Sequence, residues 1–427
     1  MATSVAKVKK LITKPGLFFR DFFLKRNPLE LDADINRPRK HDAHTSKLSN
    51  AKKSKSEEVA KKVFTSRVQR FFDGFVNCSF PVDIVYTWVD ADDPFFQHQL
   101  QSQLIPTSAF KKEAYYESRF KSRDELKYSL RSIFEYAPWV RNIFIVTNGQ
   151  VPTWLDETSS RVKVVHHNEI IAPEHLPTFN SHVIESCLHK IPGLSEHYIY
   201  FNDDVMLLRP VKPTDFYTEN GLMHAFISSA SIPNGPKVST DTPSMWAAKN
   251  ARALIFNETG YYFSSKFAHT FHPQLKSISE ANELRFADAY HKCRQNKFRQ
   301  DDDILCSSFL NPCMAYATGK AVFAKTRSWY FNVRDASSIN LYTSLLSLRG
   351  KPNCPYSVCL NDHVSVNGRS NFPDYELFLR NFLENYYPKV SPAEISEEDP
   401  RLDEATAEAA SMIVATSEVS VEALIRD

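Results

Sequence analysis

Asn202, Asp203 and Asp204 stand between residues 198–201 (YIYF) and 205–208 (VMLL), two runs that read as buried strand. Adjacent carboxylates repel, and each costs several kcal/mol to bury unless a cation compensates. The arrangement asks for a metal ion, an arginine, or a strand end opening onto solvent. Mg²⁺ or Mn²⁺, which take hard oxygen ligands, would suit Asp203 and Asp204; a solvated turn is the other reading. The stretch CLNDH repeats the form with Asn361 and Asp362, which could complete the metal shell from a distant part of the chain.

Two further apolar runs end in polar groups. VDIVYTWVDADD ends in Asp90, Asp92 and Asp93, and IFIVTNG ends in Thr147 and Asn148. If the strands are parallel, Asp90, Asn148, Asn202 and the acidic pair meet at one sheet edge, as a substrate site requires. KSRDELKYSL puts Arg123 and Asp124 at a helix start, where backbone N–H groups favour an anion or where the charges are simply surface. KFAHTFHP holds His269 and His272, either able to take a proton from a hydroxyl, and KFRQDDD holds Arg299, able to clamp phosphate oxygens. No G-x-G-x-x-G, P-loop or G-x-S-x-G occurs in the sequence, which argues against dinucleotide oxidoreductases, Walker-type kinases and esterases.

The elements that must position these groups alternate. Strands are expected at VDIVYTWV, NIFIVT, RVKVVHH and YIYF, and helices at SRDELKYSLRSIFEYAP and SHVIESCLHKI. The alternation predicts an α/β fold with a mostly parallel sheet and helices on both faces. TPSMWAAKNARALIFNETG and SISEANELRFADAYHKCRQ are expected to form a helical cap over the ligand edge.

The catalytic region is expected over 79–395. It is preceded by a basic, phenylalanine-rich arm (1–30) and a polar linker (31–78), and followed by an acidic tail (396–427). Residues 1–70 hold 18 Lys and Arg against 7 Asp and Glu, although the whole chain is only +2. Such an arm suits an anionic membrane surface or a docked position on the protein's own core; nothing in it is patterned for nucleic acid. Seven cysteines without zinc-ligand spacing favour reduced thiols. With no signal-peptide core or 20-residue apolar span, a cytoplasmic protein is expected.

DIVYTWVDADDP, the long stretch SRDELKYSLRSIFEYAPWVRNIFIVTNGQVPTWLD, LPTFNSHVIESCLHKIPGLSEHYIYFNDDV and CLNDH resemble the Stealth family of sugar-1-phosphate transferases, and the short basic start resembles its bacterial capsule branch. The resemblance implies a Rossmann-like, GT-A-like fold. It also implies that an acceptor hydroxyl attacks the β-phosphorus of a UDP-N-acetylhexosamine, releasing UMP and leaving a phosphodiester in a capsular polysaccharide. Position by position, it implies that Asp204 and Asn361 hold Mg²⁺ with Asp203 and Asp362 beside them, that Arg299 binds the diphosphate, and that His269, or its neighbour His272, is the base. It further implies an oligosaccharide phosphate acceptor, peripheral contact with the inner membrane or capsule export machinery, and compatibility with a homo-oligomer. A metal-dependent glycosyltransferase releasing UDP and a noncatalytic polysaccharide-binding protein are the alternatives.

Overall fold

Residues 79–103, 120–363 and 372–395 are described by the computed structural model. The basic arm, the linker and the acidic tail lie outside them. Apolar runs of four to six residues form the central strands because both faces are covered, so no alternation with polar residues is needed. β1 (Val82–Thr87) is followed by α1 (Pro94–Gln103) and α2 (Glu125–Tyr136), then β2 (Ile143–Thr147) and β3 (Val162–His166). After the short helices α3 (His167–Ile170) and α4 (Ser181–Glu185) comes β4 (His197–Asn202). β3, β2, β1 and β4 lie side by side and all parallel, as expected.

α2 buries Leu126, Leu130 and Ile133 and stops before Pro138, which cannot continue a helix. At the opposite end of β1, the fully buried Asp83 accepts from Arg141 Nε at 2.8 Å, Asn142 N at 3.1 Å and Ser195 N at 2.8 Å. That one carboxylate ties the loops entering β2 and β4 to β1. The helix expected over SHVIESCLHKI is α-helical only across α4 and becomes a 3₁₀ turn at Leu188–Lys190.

The chain does something at Asp203–Asp204 that strand propensity does not announce. β5 (Val205–Leu207) leaves the first sheet and joins a second, in which it pairs with a later strand. Beyond it lie β6 (Met223–Ser231), α5 (Pro243–Thr259), β7 (Ser265–Phe267) and β8 (His272–Leu275), the last closing the first sheet antiparallel to β4. α6 (Lys276–Arg285) and α7 (Ala287–Arg294) were expected as one helix; Phe286, at φ −114° and ψ 36°, breaks it. Next come α8 (Asn311–Ala317), β9 (Ala321–Ala324), β10 (Ser328–Asn332), α9 (Ser338–Leu348), β11 (Ser357–Asn361) and α10 (Tyr375–Tyr386).

β11 runs parallel to β10 and antiparallel to β5, forming the second sheet. α2 anchors that sheet to the first: Ser129 Oγ donates to the carbonyl of Val205 at 2.6 Å, and Ser132 Oγ accepts from Leu207 N at 3.0 Å. The cap contains α5, as expected, but also a third sheet of β7, β6 and β9 that the sequence did not foretell. The six described cysteines are free and buried, and among the described residues no helix is long and apolar enough to cross a membrane.

Candidate active site

A cleft of about 610 Å³ opens at the C-terminal ends of β1, β2 and β4, against the end of β11 and the first turn of α5. Parallel strands bring it about, because their carboxyl ends share one edge and each hands its next residues to the same space. Asn148 after β2, Asn202 at the end of β4, and Asp203 and Asp204 after it all line the cleft. So do Asn361 and Asp362 at the end of β11, together with Arg123, His269, His272 and Arg299. Thus ten of the fifteen polar residues singled out in the sequence line one cleft, and Asp90, Asp92, Asp93, Asp124 and Thr147 do not.

The acidic corner is tightly built. Asp204's carbonyl accepts from Leu360 N at 2.9 Å, which locks the corner to β11. Its Oδ2 accepts from Cys359 Sγ at 3.2 Å and Asn361 Nδ2 at 3.4 Å, while Oδ1 is buried without a protein partner. Burial, then Asp204, then Glu125 push the Asp203 carboxyl well above its ordinary range. Asp204, His269 and Cys359 place potential ligand atoms within 4.8 Å of one another. Burial also drives the Cys359 thiol well up, so it stays protonated.

Other expected residues are engaged differently. Asp362, expected at the metal, accepts from Arg334 Nη2 at 3.0 Å and pairs with Arg123 Nη2 at 2.7 Å. With two guanidiniums on it, Asp362 orients cations instead of collecting one. Arg123 also donates from Nε to Glu376 at 2.9 Å, yet its Nη1 is buried with no partner. Asp124 adopts a left-handed backbone, φ 64°, that turns the chain so that Arg123 N reaches Glu125 Oε2 at 2.6 Å. Neither Asp124 nor Asp90 lines the cleft. Asp90 instead braces its own loop, accepting from Asp92 N at 3.0 Å, while Gln150 bonds its backbone on both sides. Asn148 carries both amide atoms buried and unpartnered.

Two acids in the cleft, one buried and one half-buried, escaped the sequence reading. Glu125 opens α2, and burial raises its carboxyl to about 7 against the hydrogen bond from Arg123 N. Glu185 ends α4; burial raises it to about 7 as well, opposed chiefly by Arg299. A glutamate in a helix is commonplace, and only the position of α4 over the sheet edge distinguishes this one. Arg299, half-buried and drawn below its usual value by desolvation, donates to Ser244 Oγ at 3.0 Å and Ser181 Oγ at 2.6 Å. Asp303, the last aspartate of KFRQDDD, accepts from Asn180 Nδ2, His182 and Gln300 N. The arginine loop is thereby fastened to α4. His272 is buried and depressed to about 3, first by burial and then by His269, so it stays a neutral ring beside Tyr200.

Residues 119–225 match the family model for Stealth protein CR2, conserved region 2. The chain is 35% identical over 378 residues to the capsular polysaccharide phosphotransferase fcs1 of Haemophilus influenzae, covering 87% of this chain and 98% of that one. It is 33% identical over 385 residues to the capsular polysaccharide phosphotransferase LcbA of Aeromonas hydrophila, covering 89% and 99%. Its identity to a capsular polysaccharide phosphotransferase of Neisseria meningitidis serogroup B is 34% over 386 residues. Among solved structures, the galactosyltransferase LgtC overlaps with a TM-score of 0.35 at 10% identity, over 74% of this chain and 98% of that one, too loosely to bear on function. The α/β fold, its polar strand-end cleft and these relatives define a transferase. More narrowly, the chain belongs to the Stealth family of capsular polysaccharide phosphotransferases.

Proposed function

We propose that this protein transfers N-acetylhexosamine 1-phosphate from a UDP-sugar to a hydroxyl of a growing capsular polysaccharide. The acceptor oxygen bonds to the β-phosphorus, the bond from that phosphorus to the bridging oxygen breaks, and UMP leaves with that oxygen. The observation that carries the reading is one cleft holding both Asp203 with Asp204 and the guanidinium of Arg299. Arg299 donates to the hydroxyls of Ser244 and Ser181, and a diphosphate is a far stronger acceptor. The unpartnered Nη1 of Arg123 supplies a second donor for phosphate oxygens.

The acidic corner fits a divalent cation. Asp204 has a buried, unpartnered oxygen, and burial and its neighbour push the Asp203 carboxyl well above its ordinary range, a cost that a positive charge would relieve. Asp203 and Asp204 would hold Mg²⁺ or Mn²⁺, with Asn361 and His269 at hand, while Cys359 serves Asp204 as a hydrogen-bond donor. The ion would offset the charge gathering on the leaving phosphate.

The proton of the attacking hydroxyl needs an acceptor. His269 was the sequence's choice, but it lies beside Asp204 and Cys359, at the corner where a cation would sit. Glu185, at about 7 and electrostatically paired with Arg299, has the better-matched basicity for neutral pH and is assigned the role here. UDP-sugars are cytoplasmic metabolites, so the enzyme acts on the cytoplasmic side, at the inner membrane where the polymer is exported. Incubation with UDP-N-acetylglucosamine or its manno epimer, Mg²⁺ and a phosphate-linked primer tests the reading. UMP that requires primer and Asp204 supports it; UDP would move the protein to the glycosyltransferases.

A further inference from the structure

A row of aromatic rings leads out of the cleft along the third sheet. Phe267, which lines the cleft, meets Phe323 of β9 at 6.5 Å between ring centroids. Phe323 stacks on Tyr316 of α8 at 4.0 Å with the planes 13° apart, and Tyr316 meets Tyr261 at 6.3 Å. Phe263 braces the group, touching Tyr261, Tyr316 and Phe323 at 6.1 to 6.2 Å. Three of the rings stand well out of the core, Tyr261 51% exposed, Phe323 38% and Tyr316 37%, while Phe263 and Phe267 are half-buried against it.

A contiguous exposed patch of this kind on a soluble surface marks an interaction site more often than a packing accident. Rings locked against one another also present fixed faces, so little side-chain entropy is lost when something lies on them. Exposed Lys320 and Lys325 flank Phe323 in sequence, and Lys266, next to Phe267, lines the cleft. The row is therefore aromatic along its length, has lysines next to it in sequence, and is continuous with the cleft at one end.

We propose that this row is the track on which the acceptor polysaccharide lies. The C–H face of a pyranose is apolar and slightly positive and settles on the negative face of an aromatic ring, while the sugar hydroxyls remain in water. The lysines then meet the phosphodiesters that separate the sugars. Continuity with the cleft favours a chain whose end must reach the reacting centre over a second copy of the protein or a lipid surface. The inference rests on the polysaccharide acceptor of the preceding section.

The test compares wild type, Tyr261→Ala, Tyr261→Ala combined with Tyr316→Ala, and Tyr316→Phe, on primers of one repeat and of many repeats. The first variant changes a half-exposed ring and keeps the assay meaningful should the double variant fold poorly. Expected are a KM for long primer raised about tenfold in the double variant, kcat/KM for the short primer unchanged within about twofold, and near-normal behaviour for Tyr316→Phe. Binding of purified polymer, measured without donor, should weaken in parallel. An unchanged long-primer KM and polymer affinity in folded variants overturns the proposal, as does an equal loss on both primers. If these are unchanged while sedimentation shows a dimer lost, or anionic vesicles are no longer bound, the row belongs to a second copy or to lipid and the proposal also fails. If wild type releases no UMP with any primer, the transferase reading fails, and the polymer-binding arm alone decides the track.

Discussion

Replacing Arg299 with Met keeps the bulk of the stem and removes the charge, and two separate consequences follow from its surroundings. Its two terminal nitrogens donate to Ser244 and Ser181, so both are placed to turn to a diphosphate. Hydrogen bonds between charged groups contribute about 1.5 to 3 kcal/mol each; losing two lowers kcat/KM by roughly 10²- to 10⁴-fold. The second consequence concerns Glu185, whose carboxyl sits at about 7 with Arg299 as the leading influence pulling it down. An opposite charge nearby lowers a carboxyl by about 1 to 3 units, so Arg299→Met lets it climb by a similar amount. Because the base works when ionised, wild-type activity rises with pH through about 7, and in Arg299→Met that rise moves to higher pH. Arg299→Lys, which retains charge without the planar fork, should restore the position of the rise but only part of the rate. Initial rates of UMP release between about pH 5.5 and 9, a window that spans both expected positions of the rise, decide it. A rise that stays near neutrality in Arg299→Met while the rate falls would refute Glu185 as the titrating base, and an undiminished rate would refute Arg299 as the phosphate clamp.

Mn²⁺ should raise the Tm of the wild type, read by calorimetry with and without the ion, and Asp204→Ala should abolish that rise; a preserved rise would place the cation elsewhere. Arg141→Ala removes the half-exposed cation from buried Asp83, which keeps the N–H groups of Asn142 and Ser195, and urea unfolding should show a loss of about 1 to 3 kcal/mol. Glu125, with a folded value of about 7 against a usual 4.5, binds more protons folded than unfolded. Its contribution is therefore intact below about 4.5 and lost as pH rises through about 7. In EDTA, Glu125→Gln should flatten that decline and melt higher than wild type at about pH 8, above the folded value. A variant with the same pH slope as wild type would remove Glu125 as its source.

What could be read in advance follows from how local each feature is. The strands β1, β2 and β4 announce themselves because burial on both faces leaves nearly unbroken apolar runs, and Asp203 with Asp204 stands out against that background as two adjacent charges at a strand end. The partition of residues 198–208 between two sheets was not legible, since β5 is as apolar as β4 and its partner, β11, lies some 150 residues further on. Glu185 was missed for a similar reason: its burial comes from the cleft, not from its own helix. Asp362 misled in the other direction, because its carboxylate resembles Asp204's until Arg123 and Arg334 are seen on it. The third sheet is made of strands with mixed exposure, so its pattern carries no clean period.

The corner at Asp203 and Asp204 has a further consequence for anyone altering this enzyme by selection. Because the carboxylates sit at the seam where the chain crosses from one sheet to the other, and β11 holds that seam through Leu360 and Cys359, the reacting centre inherits the relative tilt of both sheets. Mutations recovered in a search for altered donor preference should therefore accumulate along β10, β11 and the serine face of α2, remote in sequence from the acidic pair. Saturating only the residues that line the cleft would miss them.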